Sequence, residues 1–85
     1  MAINLERAAL RGRLAECESA QMRLRNKFEA LSRMLREGLN TALHREIEAI
    51  DIPQLATIWS DLEVSWGELL SIRSDIERLN RELGS

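Results

Sequence analysis

A single cysteine, Cys17, among 85 residues cannot form an internal disulfide, so no covalent staple holds this chain together. Cys17 falls on an apolar stripe, where a small buried hydrophobe is expected; a reactive thiol would want exposure and positive neighbours. Proline is equally scarce: Pro53 alone interrupts a sequence otherwise free of helix breakers of that kind. Aromatics amount to two tryptophans, one phenylalanine and no tyrosine, too few for the stacking platform of a single-strand nucleic-acid binder. No nucleophile elbow and no glycine-rich phosphate loop is present. No uninterrupted apolar run approaches the roughly 18 residues of a membrane span, and the N-terminus lacks the basic-then-apolar layout of a secretory signal. The expectation is a cytoplasmic chain with no membrane contact.

What remains is leucine, alanine, glutamate and arginine in helical order. Apolar residues step by threes and fours through Ile3, Leu10, Leu14, Cys17, Leu24, Phe28, Leu31 and Leu35, with Arg7, Gln21 and Gly38 in the intervening seam slots. That is a coiled-coil seam. After Leu35 a second spacing, Leu39, Leu43, Ile47, Ile50, competes with it, so the stripe is expected to rotate and the helix to bend near Gly38. Asp51 can cap a new helix, Pro53 suits its first turn, and Gln54 stands at capping-box distance. The second helix carries its own unbroken seam: Leu55, Ile58, Leu62, Ser65, Leu69, Ile72, Ile76, Leu79, Leu83.

The predicted fold is therefore all-α, one domain over 1–85: helix 1 over about 3–50, a turn at 50–53, and helix 2 over about 53–83, folded as a long antiparallel two-helix hairpin. So short a turn pairs Ile47 with Leu55, Leu31 with Leu69 and Cys17 with Leu83. Everything before about Glu16 would then overhang its own hairpin. Leaving large apolar side chains wet there costs ~1.5–3 kcal/mol each, so Ile3, Leu5, Leu10, Leu14 and Cys17 are expected to be covered by a second copy, giving a homodimeric four-helix bundle.

Charge is divided by half. Residues 1–36 hold eight Arg/Lys against four Glu, and residues 37–85 hold four Arg against ten Asp/Glu, as expected of helices that pack side by side. Chemistry is harder to assemble. His44 and Glu48 stand at i and i+4, a metal-capable spacing, but no second ligand pair accompanies them. A helical chorismate-mutase type of site would need several cations converging on a dicarboxylate, and the seams offer only Arg7 and Gln21. No enzyme activity, metal or cofactor is expected. Trp59 and Trp66 stand seven apart, one position beyond the seam and in line with Ile52. They either widen the core or, bordered by Asp61, Glu63 and Glu68, form a contact surface for another protein.

The opening Asn4-Leu5-Glu6-Arg7-Ala8-Ala9-Leu10-Arg11-Gly12-Arg13-Leu14 and the closing Ile72-Arg73-Ser74-Asp75-Ile76-Glu77-Arg78-Leu79-Asn80-Arg81-Glu82-Leu83-Gly84, set around one Asp-capped turn, resemble the small helical-hairpin proteins of the early regions of Mu-like transposable phages. The resemblance is one of layout and carries over no functional residue. It implies an accessory protein of a bacterial cytoplasm that binds and inhibits a host protein. Beside that reading stand two others, a structural assembly or chaperone module with both tryptophans in the core, and a nucleic-acid accessory using Arg11, Arg23, Arg25, Lys27 and Arg33. The acids interleaved with those basic residues argue against the last.

Overall fold

The computed structural model describes the backbone of residues 2–44 and 46–84 and the side chains of 5–40 and 46–84. Helix α1 spans Ala2–His44, a 3-10 turn takes Ile47–Ala49, and α2 spans Ile52–Gly84. Every described element is helical, and the two long helices lie antiparallel in a rod of 68 × 15 × 14 Å. The two sequence seams face each other. In α1 the half-buried positions include Arg7, Leu10, Leu14, Cys17, Gln21, Leu24, Phe28, Leu31, Leu35 and Gly38; in α2, Leu55, Ile58, Leu62, Ser65 and Leu79 are buried and Leu69, Ile72, Ile76 and Leu83 half-buried.

The loop sets the register. Glu46 and Ile50 are both extended, so they bound the 3-10 turn as non-helical residues. The connection is thus longer than the expected turn at 50–53, and α1 ends at His44, well before residue 50. The extra length folds Ile50 back under the last seam layer, where it packs on the Leu55/Ile58/Leu62 cluster together with Phe28, Leu31 and Leu35. At the far end of α1, Gly38 meets Leu55 so closely that a Cβ there would stand 2.5 Å from Leu55 Cδ2. From that contact the antiparallel seams continue, with Leu35, Leu31 and Phe28 packed against the Leu55, Ile58 and Leu62 cluster.

This register lies one heptad away from the expected one, and it shortens the overhang by two turns. Leu31 meets Leu62 instead of Leu69, and the end of α2 reaches Arg7 instead of Cys17: the Arg7 Nη2 donates a 2.9 Å hydrogen bond to the carbonyl of Leu83. That carbonyl is among the last four of α2, which lack intrahelical donors, and a cation beside it also suits the helix dipole. Leu10, Leu14 and Cys17 are consequently half-covered by their own chain, Leu5 is 74% exposed, and Ile3 lies outside the described side chains. The surface expected to hold a second copy is thus largely the hairpin's own seam. The stripe does not rotate at Gly38 either: α1 is unbroken there, Gly38 stays in the seam, and Leu39 is left 52% exposed. Leu43 lies outside the described side chains.

The hairpin is thinly built. Only Leu55, Ile58, Leu62 and Leu79 are buried hydrophobics among the described residues, each contributing ~1.5–3 kcal/mol. The accessible surface, 6787 Å², compares with roughly 5,100 Å² for a globular monomer of this mass. The radius of gyration, 19.2 Å, compares with about 12 Å for a compact domain of this length.

Candidate functional site

Two edges flank the seam, and they differ in chemistry. One edge is formed by residues just before a seam pair: Arg13, Lys27 and Met34 on α1, with Asp61, Glu68, Asp75 and Glu82 on α2. This edge thus carries cations from α1 and acids from α2, while the ion pairs Arg73–Glu77 and Arg78–Asp75 lie within α2 itself. Asp61 and Glu68 belong here. Each is two residues from a tryptophan, about 200° around the helix, and residues two apart do not share a face. They therefore do not border the tryptophans as the sequence suggests.

The other edge follows the seam pairs: Arg11, Glu18, Arg25, Ser32 and Leu39 on α1, and Ile52, Trp59, Trp66 and Arg73 on α2. One turn further out lie Met22, Glu29 and Arg36 on α1 and Glu63, Leu70 and Glu77 on α2. Trp59 is 55% and Trp66 58% exposed, and Ile52, Leu39, Leu70 and Met22 are exposed beside them. Six of the ten large hydrophobics that the described residues leave exposed thus share one side of the rod.

Ser65, the seam residue before Trp66, has no exposed surface. Phe28 and Leu62 form the floor of a cleft of about 320 Å³, Trp59 and Trp66 its walls, and Glu63 its one charged lining group. The lining is otherwise apolar. A neighbouring depression between Gln21, Arg25, Leu69, Leu70 and Arg73 extends the same side toward the chain termini. Of the sequence candidates, Ile52, Trp59, Trp66 and Glu63 are brought together here. Phe28, Leu70, Met22 and Leu39 are additions that the structure makes. Leu70 was legible, since it stands four residues after Trp66 on the same helix face; the α1 members needed the register.

No protein-family model, curated protein or solved structure matches this chain.

The remaining chemistry is sparse. Among the described residues no group of three or more His, Cys, Asp and Glu stands where it could hold a metal ion. His44, of the candidate His44–Glu48 pair, lies outside the described side chains. Cys17 is a free, half-buried thiol in the seam. No described helix is long and apolar enough to cross a membrane. Arg11, Arg23, Arg25, Lys27 and Arg33 occupy four different heptad positions and so point around α1, whereas phosphate recognition clusters its cations on one side.

Proposed function

We propose that this chain is a non-catalytic protein-docking hairpin whose working surface is the side bearing Trp59 and Trp66. The observation that carries the reading is the apolar cleft: two half-exposed indoles over a phenylalanine floor, with Glu63 as its one charged lining group. Tryptophans in a desolvatable cleft are the residues that dominate interface energies, often by about 2 kcal/mol or more each. A monomeric protein gains nothing from leaving them wet. The layout shared with the early-region hairpins of Mu-like phages supports the same kind of role, an accessory that occupies a protein surface.

Site-specific photocrosslinking tests this. A benzophenone side chain placed at Leu70, on the tryptophan side, is expected to trap protein in cells, and one placed at Asp61, on the charged edge, to trap far less. Equal trapping from both positions, or none from Leu70, defeats the proposal. The adduct mass separates a second copy of the chain from a different protein.

A further inference from the structure

The tryptophan side has the composition of a surface that meets itself. Around its apolar centre, the edge and the turn beyond it carry four arginines and four glutamates, a net charge of zero. A basic or acidic partner would be matched by a surface of one sign, whereas an isologous interface must be complementary to its own image. With Asp61 and Glu68 on the far edge, the acidity that would have favoured a basic partner is absent from this side.

Area points the same way. The six exposed large hydrophobics of this side leave on the order of 700 Å² of side chain accessible, close to the ~800 Å² that each partner contributes to a standard interface. Sequence sets its extent: the position following the seam is apolar at Ile52, Trp59 and Trp66, then changes to Arg73 and Asn80. Apolar residues at the two seam positions and the one after are the pattern of a bundle helix, and a bare seam that of a two-stranded coil.

We infer that the occupant of the tryptophan cleft is a second copy of this chain, docked face to face about a two-fold axis so that the loop-proximal halves of the two hairpins form a four-helix bundle. The inference rests on the reading of this side as the docking surface. It places the dimer contact far from the N-terminal leucines, around Trp59, Trp66 and Leu70.

Light scattering on size-exclusion peaks tests it. The wild-type chain is expected at twice its 9.7 kDa mass. The double variant Trp66→Glu, Leu70→Glu, which sets carboxylates against each other across the axis, is expected at the monomer mass with its helical circular dichroism kept. A wild-type monomer at the highest soluble concentration, or a dimer that survives the double substitution, overturns the inference. Should the variant lose its helices, wild-type tryptophan emission decides: a blue shift and loss of iodide quenching with rising concentration support the second copy, and constant emission refutes it. A monomer whose Leu70 benzophenone traps a foreign protein would sink the second copy and leave the docking surface standing. A monomer that traps nothing would sink both.

Discussion

At the scale of single residues, the described seam contains one buried side-chain polar atom with nothing to bond. The Ser65 hydroxyl is fully buried and has no hydrogen-bond partner, and an unsatisfied buried hydroxyl costs about 1–3 kcal/mol. Alanine keeps the small volume and removes the orphan group, so Ser65→Ala is expected to raise the urea midpoint by the equivalent of ~1 kcal/mol; a fall would mean that the hydroxyl is satisfied after all. The glycines make a matched pair. A methyl group added at Gly67 would meet open space, whereas one added at Gly38 would meet Leu55. Relieving the helix of a glycine is worth ~0.5–1 kcal/mol, so Gly67→Ala should stabilise. At Gly38 the buried Leu55 must give way, and overpacking costs ~1–3 kcal/mol. Gly38→Ala is therefore expected to melt below wild type, with Gly67→Ala above it.

At the scale of elements, the start of α2 depends on Asp51, whose Oδ1 accepts a 3.1 Å hydrogen bond from the Gln54 backbone N–H. Asp51→Ala should cost about 1 kcal/mol and Asp51→Asn much less, because asparagine caps nearly as well; equal losses in thermal melts would show that charge matters here more than the cap. This cap, both seams and the hairpin itself were legible in the sequence, since Pro53 limits where the second helix can begin and the three-four spacing marks each buried stripe. The register was not. A heptad pattern matches its partner equally well when displaced by seven residues, so Leu31 fits Leu62 as readily as Leu69, and the pattern alone cannot choose. Loop length chooses, together with features that only a register reveals: Gly38 against Leu55 and Arg7 within reach of the Leu83 carbonyl. The same ambiguity hid the candidate site. Trp59 and Trp66 stood out in the sequence, but Phe28 joins them only in the register observed, and the assignment of Asp61 and Glu68 to their border overlooked the turn of about 200° between residues two apart.

At the scale of the whole molecule, a two-helix rod has one layer of contact, and the four hydrophobics buried among the described residues leave little margin over the conformational entropy of ordering two long helices. The second copy inferred above would add further burial and make stability depend on concentration. For a chain that folds as a dimer, each tenfold rise in concentration adds about 1.4 kcal/mol per dimer. With a shift of roughly 2–4 °C per kcal/mol for an assembly of this combined size, the melting temperature should climb by ~3–6 °C per decade. Scans across two decades of concentration should show that slope for the wild type and for Asp51→Ala, displaced downward but parallel. The Trp66→Glu, Leu70→Glu variant should melt at one temperature throughout. A flat wild-type series would require the hairpin to be stable alone, and the exposed indoles would then be held in reserve for a different protein.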